Sequence, residues 1–102
     1  MLNVLFGKKD EVNYKELVEQ GAIIIDVRSK DEFDIVCVEG AINIPLDVLP
    51  LHHHKIGSKD TCVIAYCASG NRSGVAKNAL NALGYTNVHN GGGWHSLKNK
   101  LA

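Results

Sequence analysis

Two short runs composed almost entirely of apolar residues constrain the fold of this chain more than any other feature. The first spans residues 23–27 (IIIDV) and the second spans residues 62–66 (CVIAY). Runs of this length that are rich in β-branched residues are typical of strands with both faces buried, as in a parallel sheet. Helical patterns lie between and around them. This alternation predicts an α/β fold in which helices cover both faces of a parallel sheet.

Capping residues and glycines indicate where the other elements begin and end. Asn13 and Glu16 predict a capping box for a helix that extends to about Gln20, and Ser29 is the predicted cap of a second helix that begins at Lys30. The remaining predicted elements are a short strand at 41–44, a helix from 46 to about 56, a helix at 72–83, a strand at 86–89, a turn at 91–93 and a helix at 94–101.

Composition excludes several classes of protein. The chain has 102 residues, with 11 Lys and Arg against 11 Asp and Glu, so no excess charge suggests binding to nucleic acid or a membrane. Its three cysteines form neither a C-x-x-C motif nor a disulfide framework, which predicts free thiols in a reducing compartment. The N-terminus lacks the pattern of a signal peptide and no segment is long and apolar enough to span a membrane, so we expect a cytoplasmic protein.

The segment that carries chemistry begins at Cys67, directly after the second apolar run. In a parallel sheet, ligands bind beyond the carboxyl ends of the strands, which is where this cysteine is expected. The loop that follows can turn its N–H groups inward, because Gly70 permits a left-handed backbone. Arg72 adds a positive charge where the next helix begins. Together these features predict a cysteine with a lowered pKa in a cradle for an oxyanion.

The alternative is that Cys67 is a packed residue at the end of a strand, since free cysteines are often buried. That interpretation suits Cys62, which lies within the apolar run. It explains Cys67 less well, because a buried thiol does not require the glycine and arginine that follow it. The nucleophile is therefore the favoured interpretation.

Five stretches carry a resemblance to a known family. They are Cys67-x-x-Gly70-x-Arg72, residues 25–28 (IDVR), Glu32-Phe33 with residues 40–45 (GAINIP), residues 83–88 (LGYTNV), and Gly92-Gly93. In this order and spacing the sequence resembles the rhodanese, or sulfurtransferase, family, particularly its small single-domain members. The resemblance implies one rhodanese-like domain over residues 1–102, with a central, mostly parallel five-stranded sheet and helices on both faces.

The resemblance also implies a reaction. Cys67 would be the catalytic residue and would carry a persulfide, taking a sulfane sulfur atom from a donor such as thiosulfate. Acceptors would be cyanide, a small thiol or a protein thiol, including that of a thioredoxin-like protein; no cofactor, metal, nucleic acid or membrane is expected. The loop that binds the substrate anion would consist of Ala68, Ser69, Gly70, Asn71, Arg72 and Ser73.

Loop length and departures from the family pattern refine this expectation. Four residues separate Cys67 from Arg72. Related phosphatases use a loop of five, so the shorter loop favours sulfur over phosphate as the group transferred. Ala68 stands where thiosulfate-active members often have arginine, which favours a second hypothesis, a sulfur carrier or regulatory binding module without turnover. Residues 36–38 (VCV) replace the family's Gly-His-Ile.

Other candidate residues have two interpretations each. Asp26 and Arg28 either line the pocket or form a structural ion pair, and the ion pair is favoured. Ser69 and Ser73 either donate to a bound anion or cap the following helix. Cys37 is either a second redox thiol or a packed residue, and packing is favoured. The histidines at 52–54 are adjacent on a predicted helix, so their side chains diverge and no metal site is expected.

Overall fold

The structure, a computed structural model, describes residues 12–102. Its helices are α1 (Tyr14–Glu19), α2 (Lys30–Ile35), α3 (Leu49–His52), α4 (Asn71–Ala82) and α5 (Trp94–Leu101), and its strands are β1 (Ile23–Asp26), β2 (Ile42–Asn43), β3 (Val63–Cys67) and β4 (Val88–Gly93). Single 3₁₀ turns at Leu46–Val48 and His53–Ile56 flank α3. The longest helix of this region, α4, has 12 residues, so no helix in residues 12–102 could cross a membrane.

The strands form one sheet in the order β2-β1-β3-β4, and all three neighbouring pairs are parallel. The α/β class and the parallel sheet agree with the sequence prediction. The strand count does not, because the sheet has four strands within residues 12–102 rather than five. The two central strands, β1 and β3, are the two apolar runs. Each is flanked by strands on both sides, so their backbone groups are paired along both edges.

Helices cover both faces of the sheet, as predicted. On one face, Ile25 and Ala65 pack with Ala76 and Leu80 of α4. On the other face, Ile24, Ile64 and Tyr66 pack with Leu97 of α5, and α1 lies against the same cluster. Burial of each large aliphatic side chain contributes about 1.5–3 kcal/mol. Since neighbouring residues of β1 and β3 enter different clusters, both faces of these strands are buried. The two runs are therefore apolar except at Asp26, which is buried as a charged residue.

Three elements differ from their predictions. The helix expected from 46 to about 56 is a 3₁₀ turn, one α-helical turn and another 3₁₀ turn. The turn expected at 91–93 is the second half of β4, which extends to Gly93. At α1, the Asn13 side chain accepts a hydrogen bond from the Glu16 N–H. The full reciprocal capping box occurs at α2, between Ser29 and Glu32.

Candidate active site

Cys67 is the last residue of β3, and its side chain points towards α4 with 1% of its surface exposed. The Gly70 N–H donates a hydrogen bond to Sγ over 3.0 Å, and the Ser73 N–H donates over 3.4 Å. Gly70 has φ = 99° and is the N-cap of α4. This left-handed backbone, which glycine adopts without a steric penalty, turns the chain from the strand into the helix around the sulfur atom.

The surroundings of Sγ lower the pKa of Cys67. Burial alone would raise this pKa. The Ser73 hydroxyl and the N–H groups of Ser73, Ser69 and Gly70 outweigh burial and bring the pKa from 9.0 to about 7. The first turn of α4 adds the positive end of a helix dipole. The arrangement can therefore hold a thiolate near neutral pH, which is the form of cysteine that acts as a nucleophile.

Arg72 is oriented differently from the sequence expectation. Its guanidinium donates two hydrogen bonds to Glu32, at 2.8 Å to Oε1 and 3.0 Å to Oε2. The Arg72 side chain thus joins the first turn of α4 to the first turn of α2, and the Glu32 carboxylate offsets its charge. The same contact lowers the pKa of Glu32 to about 2, with Arg72 as the main cause.

Asp26 and Arg28 form a buried ion pair at the end of β1, with 0% and 3% of their surfaces exposed. Arg28 Nη2 lies 2.7 Å from Asp26 Oδ2, and Arg28 Nε donates to both carboxylate oxygens. Arg28 Nη2 also donates to the carbonyl oxygen of Val36, just after α2. These contacts are those of a structural pair that ties the strand end to the neighbouring segment.

Asn90, which the sequence analysis did not single out, links the loop to β4. Its Oδ1 accepts hydrogen bonds from Ser73 Oγ at 2.7 Å and from the Gly92 N–H at 3.0 Å. Its Nδ2 donates to the carbonyl oxygen of Gly70 at 3.1 Å. The asparagine is 17 positions after Ser73, and no local pattern in the sequence connects the two residues.

Two glycines of β4 allow this strand to lie directly against the Cys67 loop and against β3. A Cβ atom at Gly93 would be 2.6 Å from the carbonyl oxygen of Ala68, and a Cβ at Gly91 would be 2.9 Å from Ile64 Cγ2. Both distances are closer than real side chains approach. The glycine run lies beside the loop and belongs to a strand, where the sequence predicted a turn.

Comparison with known proteins decides the family. The sequence matches the Rhodanese-like domain over residues 11–100. The chain belongs to the rhodanese-like domain family.

Known relatives include sulfurtransferases. The domain is 43% identical over 70 residues to "Thiosulfate sulfurtransferase PspE" of Escherichia coli (strain K12), covering 68% of this chain and 67% of that protein. It is 35% identical over 78 residues to "Thiosulfate sulfurtransferase GlpE" of Tolumonas auensis, covering 72% and 73%. A solved structure described as "rhodanese with anions from E. coli" superposes with a TM-score of 0.71 at 38% identity, covering 74% of this chain and 91% of the other. This rhodanese-like domain is a thiosulfate sulfurtransferase-like enzyme.

The tip of the Cys67 loop faces the surface, where Ala68, Ser69 and Asn71 are exposed. Beside Arg72 is a shallow cavity of about 400 Å³, whose other lining residues are Val27, Ser29, Pro45, Leu46 and Asp47. A larger groove of about 490 Å³ lies between α1 and α5, and none of the loop residues lines it. The smaller cavity is therefore the one that adjoins the predicted site.

The remaining candidates lie outside the loop. Cys37 and Cys62 are half-buried free thiols, and burial raises the pKa of Cys62. His53 hydrogen-bonds the Tyr85 hydroxyl through Nδ1, at 2.9 Å. Within residues 12–102, no three His, Cys, Asp or Glu side chains are grouped closely enough to hold a metal ion.

Proposed function

We propose that this protein is a sulfurtransferase that moves a sulfane sulfur atom from a donor such as thiosulfate to a thiophilic acceptor through a persulfide on Cys67. The observation that carries the proposal is the position of Cys67 Sγ, which accepts N–H hydrogen bonds from Gly70 and Ser73 and has a pKa of about 7. The similarity to PspE and GlpE, both described as thiosulfate sulfurtransferases, supports thiosulfate as a donor.

In the first half of the proposed reaction, the Cys67 thiolate attacks the outer sulfur atom of thiosulfate. A bond forms between Sγ and that sulfur, the S–S bond of thiosulfate breaks, and its electron pair leaves with sulfite. The loop N–H groups that surround Sγ can hold the resulting charged persulfide. Ala68, Ser69, Gly70, Asn71, Arg72 and Ser73 are proposed as the anion-binding loop, with Asp26 and Arg28 in a supporting structural role.

In the second half, an acceptor attacks the outer sulfur of the persulfide. The bond between that sulfur and Sγ breaks, and its electron pair returns to Cys67 as a thiolate. Because the Gly70 and Ser73 N–H groups stabilise negative charge on Sγ, they make Cys67 a good leaving group. This is covalent catalysis in two displacement steps.

The exposed loop tip supports an acceptor as large as a protein. We propose cyanide, a small thiol or the thiol of a thioredoxin-like protein as acceptors. Two further statements stay predictions. One is that residues 1–102 form a single domain. The other is that the protein works in the reducing cytoplasm, where its thiols would stay free.

The test is the mass of the protein after incubation with thiosulfate and removal of excess reagent. We expect a gain of one sulfur atom on Cys67, and loss of that sulfur with release of the product when an acceptor is added. Cys67→Ser should gain none, while the matched control Cys62→Ser should gain as much as the wild type. Equal labelling of the wild type and Cys67→Ser would show that Cys67 is not the sulfur acceptor.

A second candidate function is a sulfur carrier or regulatory module without turnover. The pairing of Arg72 with Glu32 favours it, because this offsets the charge that would attract a dianionic donor, and Ala68 adds no charge of its own. Steady-state rates with thiosulfate and with a protein persulfide distinguish the two functions. Rapid turnover with thiosulfate as the only sulfur donor and cyanide as the acceptor would exclude the carrier.

A further inference from the structure

The hydroxyl group of Ser73 lies between two hydrogen-bond acceptors. Its Oγ is 2.7 Å from Asn90 Oδ1 and 3.4 Å from Cys67 Sγ. Ser73 is fully buried, and a serine hydroxyl has a single proton to donate. The proton can therefore satisfy Asn90 or Cys67 at any moment, but not both.

The orientation of the Asn90 amide follows from its two other contacts. Nδ2 donates to the carbonyl oxygen of Gly70, and Oδ1 accepts from the N–H of Gly92. A flipped amide would set its NH₂ group against the Gly92 N–H and its oxygen against the Gly70 carbonyl, which loses both hydrogen bonds. Oδ1 thus faces Ser73, and Asn90 is an acceptor for the serine proton.

The charge of Sγ decides which acceptor the Ser73 proton favours. While Cys67 is a thiol, the Ser73 hydroxyl donates its hydrogen bond to the closer acceptor, Asn90 Oδ1. Ser73 Oγ can then accept a weak hydrogen bond from the S–H group. When Sγ is a thiolate, a lone pair of Ser73 facing it would be repulsive. A hydrogen bond to an ion is about twice as strong as one between neutral groups, so the hydroxyl turns towards Sγ. Asn90 Oδ1 still keeps the Gly92 N–H.

We propose that Asn90 is a positioning residue for the Ser73 hydroxyl. Asn90 Oδ1 accepts the hydrogen bond of this hydroxyl while Cys67 is a thiol, and the hydroxyl turns to donate to Sγ when the sulfur becomes anionic. The significance for catalysis rests on the proposed function. In sulfur transfer, Sγ loses its charge when the persulfide forms and regains it when the acceptor removes the outer sulfur. The serine hydroxyl would turn once in each direction per catalytic cycle. The strength of its hydrogen bond to Asn90 would set the free energy that this turn requires.

The two arginines nearest to the Cys67 loop are already paired. Arg72 of α4 pairs with Glu32 of α2, and this contact raises the pKa of Arg72 and lowers that of Glu32. Arg28 pairs with Asp26 at the end of β1. The remaining titratable side chains on the flanking elements are Tyr66 on β3, His89 on β4, Lys77 on α4 and the exposed His95, Lys98 and Lys100 on α5. Burial and, secondarily, Lys77 lower the pKa of His89.

The test is the pH dependence of Cys67 alkylation by iodoacetamide, which reacts with the thiolate, followed on the full chain by mass spectrometry of the Cys67 peptide. Asn90→Ala frees the hydroxyl for Sγ at all times, so we expect the pKa of Cys67 to fall by about half a unit to one unit. Ser73→Ala removes the donor and should raise the pKa by about one unit. The double variant should match Ser73→Ala, because Asn90 acts through the hydroxyl.

The matched control is Asn87→Ala, which removes an asparagine that hydrogen-bonds His89 just before β4 and should leave the pKa of Cys67 unchanged. An unchanged or raised pKa in Asn90→Ala would overturn the proposal. If Asn90→Ala lowered the pKa equally with the serine present and with Ser73→Ala, the proposal would also fail, since Asn90 would then act through loop position alone.

Asn90→Asp serves if Asn90→Ala does not fold. The aspartate carboxylate accepts a stronger hydrogen bond from the Ser73 hydroxyl, so Asn90→Asp should raise the pKa of Cys67. The rise should be larger when Ser73 is present than in the Ser73→Ala background. Equal rises in the two backgrounds would contradict the proposed role of Asn90. None of these measurements requires sulfur transfer. If thiosulfate leaves no sulfur on Cys67 but the pKa shifts occur as expected, the proposed function fails and the role of Asn90 stands.

Discussion

Arg72 and Glu32 form a two-pronged ion pair that joins the beginnings of α4 and α2, with N–O distances of 2.8 and 3.0 Å. The same Glu32 accepts from the Ser29 N–H as part of the α2 capping box. One carboxylate thus organises the start of a helix and anchors the end of the Cys67 loop. In this structure the side chain of Arg72 connects α4 to α2 through Glu32.

Replacing Glu32 with glutamine should lower the free energy of unfolding by about 1–2 kcal/mol at pH 7, since it weakens a helix cap and removes an ion pair. Both side chains of the pair are more than one-third exposed, which keeps the effect small. The pKa of Glu32 is about 2 in the folded protein, below its ordinary value, so its stabilising effect is present above about pH 4.5 and is lost as the pH falls towards 2.

Urea denaturation of the wild type and Glu32→Gln between pH 2 and pH 7 checks this prediction. The stability gap between the two proteins should close as the pH falls through that window. Glu39→Gln, which alters an exposed carboxylate in the turn before β2, should stay within about 0.5 kcal/mol of the wild type. A gap independent of pH would mean that the Glu32 charge does not stabilise the fold.

Cys67 should react as a thiolate with a midpoint near pH 7. The pKa of Cys67 is lowered to about 7, whereas burial raises that of Cys62. Iodoacetamide alkylation followed at each cysteine across pH 5.5–9.5 measures both midpoints in one sample. We expect the rate at Cys67 to level off above about pH 8 while the rate at Cys62 still rises. Identical profiles at the two cysteines would contradict the N–H cradle.

Gly70→Ala should slow Cys67 alkylation at pH 7, because the left-handed φ of 99° is strained for alanine and the Gly70 N–H would move away from Sγ. The cost in stability should be about 1–2 kcal/mol. Gly21 has a similar φ of 105°, with open space around the added Cβ. Gly21→Ala should therefore lose similar stability without changing the alkylation rate. Slow alkylation in both variants would instead indicate a general effect of destabilisation.

Asp26→Asn should destabilise the protein by about 3–5 kcal/mol, because it leaves the Arg28 guanidinium buried without its counter-ion. Equilibrium urea denaturation at pH 7 measures the loss. The matched control is Asp34→Asn, which breaks the exposed Lys30–Asp34 pair and should cost at most about 0.5 kcal/mol. If the two variants lost the same amount, the buried pair would not be a structural element.

Signals between near neighbours in sequence predicted the structure well. The apolar runs became β1 and β3, Ser29 caps α2, and the residues after Cys67 form a loop that ends in the helix α4. The positive φ of Gly70 also followed from its place in the loop. These features depend on backbone propensity and on contacts within a few residues, and such contacts are encoded in short patterns.

Predictions that needed distant contacts were less successful. Residues 91–93 were predicted to form a turn, because three glycines in a row are typical of one. They belong to a strand that packs against the Cys67 loop, and this contact lies too far away in sequence to appear in a local pattern. The fifth strand was expected from the family resemblance, and the sheet has four strands within residues 12–102. The partner of Arg72 is 40 positions away, and Asn90 is 17 positions from Ser73.

The sequence by itself determined the fold class, the position of Cys67 at a strand end and the turn that surrounds its sulfur. Only the tertiary structure decided that Glu32 takes the guanidinium of Arg72 and that Asn90 competes with Cys67 for the proton of Ser73. The reason is physical: a side chain chooses its partner among groups that packing brings within about 3 Å, and that choice exists only after the strands and helices have assembled.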